Sequence, residues 1–148
     1  MFGFLKNPQH VDEDAQDEFV ERVNAAAEDF LTAVSDQSTL DYSLQSIDAL
    51  DSVLADAHHG RLTLTPMQTV GAAAYLYEVA RRHFGGLYEV CDDEDPVVLV
   101  TGEPEFDVCL CAISKVERRI RDGHTEALPA FFQRYVSAVN TRASVTIS

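Results

Sequence analysis

The spacing of apolar side chains changes along the chain and separates helical from extended regions. Over Asp12–Val34 apolar residues recur every three or four positions, which predicts an amphipathic helix with acidic residues on its outer face. A second stripe predicts a helix over Ser43–Ala57, with Ser43 as its N-cap and Gly60 beyond its end. Residues 1–10 show no such period, so we expect an irregular lead-in there.

The third helix has the clearest start. Thr65-Pro66-Met67-Gln68 reads as a capping box with Pro in the first helical position, and Gly85-Gly86 stops the helix after Phe84. Its middle, Val70–Leu76, is small and apolar on most faces. Such a helix is usually central, so we expect neighbours to pack against it on several sides.

The period then shortens to that of strands. Three β-rich runs, Leu87–Cys91, Val97–Thr101 and Phe106–Leu110, are separated by short turn-like segments. Parallel neighbours need a crossover of about a dozen residues or more, so these short connections predict an antiparallel three-stranded meander.

Two further helices are predicted after the strands, over Ser114–Asp122 and Pro129–Asn140. The tail, residues 141–148, alternates weakly over Ala143–Ser148 and is either a flexible end or an edge strand. The order of three helices, three strands and two helices predicts one α+β domain over 1–148, with helices covering one face of a small sheet.

Charge is the one extreme property of the composition. The chain has 25 acidic and 11 basic residues, a formal net charge of −14, and residues 1–60 hold 13 of the acids and only two of the bases. Such a surface repels phosphate backbones and anionic lipid and attracts basic proteins. We therefore expect neither a nucleic acid nor a membrane as partner, and no apolar run approaches the ~20 residues that span a bilayer.

The cysteines and histidines suggest no metal or cofactor. Cys109 and Cys111 would share one face of a strand, and Cys91 with His83 could complete a site, but no pair has a recognised zinc spacing. An odd number of cysteines fits a reducing cytoplasm, which is the predicted location. The acidic run 92–95 lacks the ligand pattern of a calcium loop, and the pair His58-His59 is explained by the dipole of the helix end that it occupies.

Two stretches of the chain resemble known sequence signatures. Leu40–Asp51 is similar to a Leu-Asp-Tyr-Ser…Ser-Leu…Val-Asp pattern, and Ala73–Arg82 with Gly85-Gly86 is similar to Gly-Ala-Tyr-Leu-Gly-Glu-Val…Arg-Arg…Gly-Gly. The two signatures occur together in small bacterial domains of unknown function, which this chain therefore resembles. The resemblance implies a bacterial cytoplasmic α+β domain. It carries no catalytic residues over to this chain.

One polar cluster falls on the most apolar helix. Glu78, Arg81 and Arg82 lie there with Tyr75, and Asp41 precedes the second helix. A carboxylate on a buried helix needs a cationic partner, so these residues form either a structural ion-pair network or a ligand-binding, regulatory site.

A basic triplet invites a nucleic-acid interpretation. Lys115, Arg118 and Arg119 share one face of the fourth helix. With no interleaved aromatic residues and an acidic chain around them, we expect them to neutralise the acidic helices, and we expect Glu117 to pair with Arg121.

No nucleophile motif, phosphate-binding loop or metalloprotease motif is present, so we expect no enzyme. The leading hypothesis is a protein-binding domain whose acidic helices engage a basic partner, in concrete form an immunity-type protein that occludes a basic toxin. The alternative is a small-molecule or regulatory domain with its site near Tyr75, Glu78 and Arg82. The partner-binding residues predicted by the first hypothesis are Glu13, Asp17, Glu21, Asp48, Asp51 and Asp56.

Overall fold

The computed structural model describes residues 8–91 and 94–148, with side chains from residue 13 onward. This part of the chain forms an α+β fold, as the sequence predicts. Its elements in chain order are α1 (Pro8–Leu31), α2 (Ser46–His58), α3 (Pro66–Phe84), β1 (Leu87–Val90), β2 (Val97–Thr101), β3 (Val108–Leu110), α4 (Ile113–Asp122), a 3-10 turn (His124–Glu126), α5 (Leu128–Asn140) and β4 (Val145–Ile147).

Helix α1 is displaced relative to its predicted bounds. It begins at Pro8, so the irregular lead-in expected over residues 1–10 is wrong for residues 8–10, while residues 1–7 lie outside the described part. It ends at Leu31 because the Val34 N–H bonds to the Leu31 carbonyl three residues back, which closes a tighter turn. Residues 92 and 93, which belong to the turn predicted between the first two strands, also lie outside the described part of the chain.

Helix α2 begins three residues later than predicted. Ser43 Oγ does accept a bond from the Ser46 N–H (3.2 Å), but the same N–H also reaches the Ser43 carbonyl (3.1 Å). Residues 43–45 therefore form a separate turn. The N-cap position belongs to Gln45, whose side chain makes no capping bond.

Helix α3 matches its prediction. Thr65 Oγ1 accepts from the Gln68 N–H (3.1 Å), and Gln68 Oε1 accepts from the Thr65 N–H (3.0 Å), which completes the capping box. All ten residues of Gly71–Ala80 are buried, as expected for a central helix. At Gly71 a Cβ would collide with the Ala26 carbonyl oxygen, so the glycine lets the backbones of α1 and α3 approach closely.

Within residues 8–91 and 94–148 the sheet has four strands in the order β1-β2-β3-β4 and is mixed. The first three strands are antiparallel neighbours, but β4 pairs parallel to β3, with Leu110 opposite Ile147. The predicted three-stranded meander is therefore incomplete. The tail supplies an edge strand, which is one of the two alternatives that its weak alternation left open.

The two faces of the sheet have different surroundings. Tyr88, Leu99 and Leu110 belong to the main core that the helices cover, whereas Val98 and Val100 form a separate apolar cluster on the opposite face. At the β1 edge, the Gln16 side chain of α1 bonds to both backbone groups of Tyr88: its Nε2 donates to the carbonyl (2.7 Å) and its Oε1 accepts from the N–H (3.0 Å). This amide occupies the outer edge of β1 at that residue.

Candidate functional site

The Glu78 side chain lies at the centre of the predicted polar cluster and is wholly buried. Arg81 donates to both of its carboxylate oxygens (2.7 and 2.9 Å), and Arg82 Nε donates to Oε1 (3.2 Å). Asn24 of α1 donates to Oε1 (3.0 Å), and the Tyr88 hydroxyl of β1 donates to Oε2 (2.6 Å). The carboxylate therefore joins α1, α3 and β1 at one point.

The electrostatics of Glu78 follow from these contacts. Burial alone would raise its pKa, but the hydrogen bonds from Arg81 and Tyr88 and the adjacent guanidinium charge outweigh burial and lower the pKa from 4.5 to about 2. Burial and the same carboxylate raise the pKa of the Tyr88 hydroxyl far above its ordinary value. At neutral pH the pair is a carboxylate and a neutral phenol, the arrangement that the short bond requires.

A second contact group joins the cluster to the turn before α2. The Arg82 guanidinium lies 3.7 Å from the centre of the Tyr42 ring, and Tyr42 stacks on Tyr75 with ring centroids 4.5 Å apart. The Tyr75 hydroxyl donates to Ser46 Oγ (2.7 Å) and accepts from the Tyr42 N–H (2.9 Å). His83 Nε2 lies 2.9 Å from the Tyr42 carbonyl oxygen.

These contacts support the structural interpretation of the cluster over the ligand-site alternative. Glu78 accepts five hydrogen bonds from four residues, which exceeds the roughly four lone-pair positions of a carboxylate. The Tyr75 hydroxyl is also fully engaged. Asp41 lies outside the network: it is exposed, and its Oδ1 accepts from the Ser43 N–H (3.1 Å). Hydrogen bonding from the Ser43 side chain and, to a smaller extent, from its backbone N–H lowers the pKa of Asp41.

The acidic residues predicted to bind a partner divide into two groups. Glu13, Asp17 and Glu21 are exposed on α1 at spacings of four, so they follow one side of the helix. Asp48 is exposed in the first turn of α2. Within residues 13–91 and 94–148, none of these four carboxylates takes part in an ion pair.

Asp51 and Asp56 belong to the second group, because internal partners hold them. Asp51 Oδ1 accepts from Arg119 Nε (2.8 Å) and from the Leu128 N–H at the start of α5 (2.8 Å). Arg119 is buried, and Asp51 supplies its counter-charge, so this carboxylate is engaged inside the fold. Asp56 pairs with Arg61 at 3.0 Å and remains half exposed.

The basic triplet of α4 is also engaged internally. Lys115 and Arg118 both contact Glu126 Oε1, at 2.9 and 3.1 Å, and Arg119 holds Asp51. Only Arg119 neutralises an acid of the two acidic helices, Asp51 of α2, whereas Lys115 and Arg118 neutralise an acid of the 3-10 turn. The expected pairing of Glu117 with Arg121 is wrong, because Arg121 pairs with its neighbour Asp122 (3.0 Å).

The cysteines lie away from the ion-pair cluster. Cys91, Cys109 and Cys111 pack with Val98 and Val100 on the sheet face opposite the helices. His83, the fourth ligand of the metal site weighed from the sequence, contacts the Tyr42 carbonyl instead. No group of three or more His, Cys, Asp or Glu in the described ranges is arranged to hold a metal ion.

The two histidines at the end of α2 make contacts that stabilise the end of this helix. The His58 Nδ1 atom lies 2.7 Å from the Ile120 carbonyl of α4, so it ties the end of α2 to that helix. His59 occupies the C-cap position, and its backbone N–H bonds back into α2.

The structure has a cleft beside α2 that the sequence did not indicate, and Asp48 is one of its lining residues. One cavity of about 320 Å³ lies between the start of α2 and α5, and a second of about 420 Å³ lies against the turn before α2. Asp48 and Gln45 line both cavities. The lining residues from α5 lie 80 or more residues after those near the start of α2, so only folding brings the two sides of the cleft together.

No family model, curated protein or solved structure matches this chain. Among the helices of the described ranges, none is long and apolar enough to cross a membrane.

Proposed function

We propose that this chain is a non-enzymatic protein-binding domain that uses its acidic surface against a basic partner, in the manner of an immunity-type protein that occludes a basic toxin. The acidic surface consists of Glu13, Asp17 and Glu21 on α1 and Asp48 on α2. Asp56 of α2 is half exposed, and its charge is balanced by Arg61.

The observation that carries the proposal is that the basic side chains form ion pairs with acids outside α1, and the described acids of α1 form none. Seven of the ten basic side chains in residues 13–91 and 94–148 form ion pairs, and their partners are Asp51, Asp56, Glu78, Asp122 and Glu126. All these partners lie outside α1. The internal pairing therefore leaves all seven described acidic side chains of α1 outside any ion pair, and all seven are exposed to solvent.

Exposed charge of one sign speeds the approach of an oppositely charged protein. Steering of this kind raises association rates by about 10- to 1,000-fold at low ionic strength and weakens as salt is added. The same α1 surface repels nucleic acid and anionic lipid, which favours a basic protein as partner.

The test begins with capture of binding proteins from the native host, followed by reconstitution from two purified components. We expect a basic partner whose association rate constant falls at least tenfold between 20 and 500 mM NaCl. The triple variant Glu13→Gln, Asp17→Asn, Glu21→Gln should lose most of the low-salt rate. A matched control, Glu103→Gln, Glu105→Gln, Asp107→Asn in the loop between β2 and β3, should retain it.

Two results would count against the proposal. One is the absence of any basic protein that binds after reconstitution. The other is binding whose rate is indifferent to both salt and the triple variant, because steering then plays no part in recognition.

A further inference from the structure

The cleft beside α2 has an apolar half and an acidic half. Its apolar cavity is lined by Leu44 and Ile47 on one side and by Phe132 and Val136 of α5 on the other. The second cavity is lined mainly by hydroxyl and carboxylate side chains, among them Asp41 and Asp48. The volumes of about 320 and 420 Å³ fall within the ~300–1,000 Å³ of typical binding pockets.

The charge of the cleft has one sign. Asp41 and Asp48 are both exposed, and among the described residues that line the two cavities none is basic. The hydrogen bond from Ser43 holds the pKa of Asp41 below its usual value, so this carboxylate is ionised at neutral pH. A cationic group in the polar half meets two carboxylates and no repelling charge.

Contacts with α3 hold the segment that lines the polar half of the cleft. Tyr42, between Asp41 and Ser43, has a φ of 63°, a left-handed conformation that is strained for a bulky residue. Its ring is held between Arg82 and Tyr75, which makes the strained backbone the stable one. The buried Ser46 Oγ accepts from Tyr75 and donates to the Ser43 carbonyl. A preformed site spends little free energy on ordering when a ligand arrives.

We propose that this cleft takes a linear basic segment of the partner protein, with one large apolar side chain between Ile47 and Phe132 and flanking Lys or Arg side chains on Asp48 and Asp41. The inference rests on the proposed function and adds the place where the partner inserts. Buried anchors in central pockets, surrounded by polar contacts, supply most of the affinity of many protein interfaces.

A second groove offers a weaker case for the same partner. It has a volume of about 210 Å³ and lies between α1, α3 and β2, with Phe19, Val70 and Val97 among its lining residues. Among the described residues that line it, the only charged one is Arg22, so a basic segment finds no complementary charge there. The cleft is therefore the preferred position for the partner.

The experiment is an NMR titration of the full chain at 150 mM NaCl, where surface charges are screened beyond ~8 Å. The probe is the peptide acetyl-Gly-Lys-Phe-Lys-Gly-Lys-amide, with two control peptides that replace Phe by Ser or every Lys by Glu. We expect saturable shifts of the amides of Gln45, Asp48 and Gln133 with the probe. Both control peptides should bind at least tenfold more weakly.

Two variants test the position of the probe. Asp48→Lys should weaken the probe at least tenfold, whereas Glu117→Lys, an equal charge change on the exposed side of α4, should alter the dissociation constant less than twofold. Gln133→Trp, which places a large ring at the apolar cavity without changing charge, should also weaken the probe tenfold. Thermal melts confirm that each variant is folded before the titration is interpreted.

The outcomes separate this inference from the proposed function. Shifts confined to α1 amides would overturn the cleft proposal and leave Glu13, Asp17 and Glu21 as the binding site. The cleft proposal also fails if the probe shows no saturable shifts, or if the Ser-containing control binds as well as the probe. The cleft proposal is supported if Asp48→Lys and Gln133→Trp lose binding of the probe while Glu117→Lys keeps it.

Discussion

At the scale of single residues, the carboxylates of this protein differ in their surroundings: some are buried and hydrogen-bonded, and others are exposed to water. An ionised carboxylate out of contact with water is costly unless cations and hydrogen-bond donors replace its hydration. Glu78 has such replacement from two arginines, an asparagine and a tyrosine. Glu13, with the same functional group, remains in water on α1. The first carboxylate stabilises the fold, and the second is available to a partner.

The first prediction concerns the stability contribution of Glu78. Glu78→Gln removes the charge that neutralises Arg81 and Arg82 and replaces an acceptor of Tyr88 by a group that is partly a donor. We expect the free energy of unfolding to fall by about 3 kcal/mol, at the lower end for a broken buried pair because both arginines reach solvent. Urea denaturation measures it. Glu117→Gln, an exposed change on α4, should shift the same quantity by less than about 0.5 kcal/mol.

The second prediction is a pH dependence with a definite sign. The pKa of Glu78 is about 2 in the folded chain and near 4.5 when unfolded, so the unfolded state binds the proton first as the pH falls. The contribution of Glu78 to stability is complete above about pH 5 and is lost progressively as the pH falls toward 2. Urea titrations from pH 6 to 2.5 should show a shallower loss for Glu78→Gln than for the wild type. Parallel curves for the two proteins would refute the assignment.

At the scale of elements, one carboxylate links three helices. Asp51 on α2 pairs with Arg119 of α4 and accepts from the Leu128 N–H, one of the backbone donors at the start of α5 that has no partner within the helix. The bonds from Arg119 are charge-assisted and reach both oxygens of Asp51, at 2.8 and 3.4 Å. The positions of α2, α4 and α5 are therefore coupled through this side chain.

The third prediction compares two aspartates of α2. Asp51→Ala leaves the buried Arg119 without a counter-charge and should lower the free energy of unfolding by about 3 kcal/mol. Asp48→Ala, three residues earlier and exposed, should lower it by less than about 1 kcal/mol, the size of a helix-dipole contribution. Chemical denaturation distinguishes the two. Equal losses would mean that Asp51 is not the electrostatic partner of Arg119.

The same pair shows how far the sequence could predict the structure. Local signals predicted well: the capping box at Thr65 and the small residues of Gly71–Ala80 identified α3 and its central position. Contacts between distant residues could not be anticipated. Asp48 and Asp51 look alike in the sequence, and only the arrival of Arg119, 68 residues later, makes one structural. In the same way, β4 pairs with β3 through a contact that no local pattern encodes.

At the scale of the whole molecule, the negative charge is unevenly balanced. The formal net charge is −14, and the described basic residues are largely engaged with acids of α2, α3, α4 and the 3-10 turn. Self-repulsion of like charges destabilises a compact state, and two of the repelling pairs lie at i, i+4 spacing along α1. An arrangement of this kind lowers stability while it increases attraction for a basic surface. Those two effects can be measured separately.

The fourth prediction uses that separation. Glu13→Gln, Asp17→Asn, Glu21→Gln removes the two like-charge contacts at i, i+4 spacing among these three residues, which cost about 0.2–0.5 kcal/mol each. The helix dipole favours acids in the first turn of α1, but all three residues lie beyond that turn. We expect the triple variant to unfold at a free energy about 0.5 kcal/mol higher than the wild type in 20 mM NaCl, and at the same free energy in 500 mM NaCl, where the Debye length is only a few ångströms. Urea denaturation at both salt concentrations checks this. A variant that is less stable at low salt would show that the three carboxylates stabilise the fold, in which case a structural need explains their presence. A variant that is more stable yet slower to bind its partner would show that the surface is held at a cost to stability that only recognition offsets.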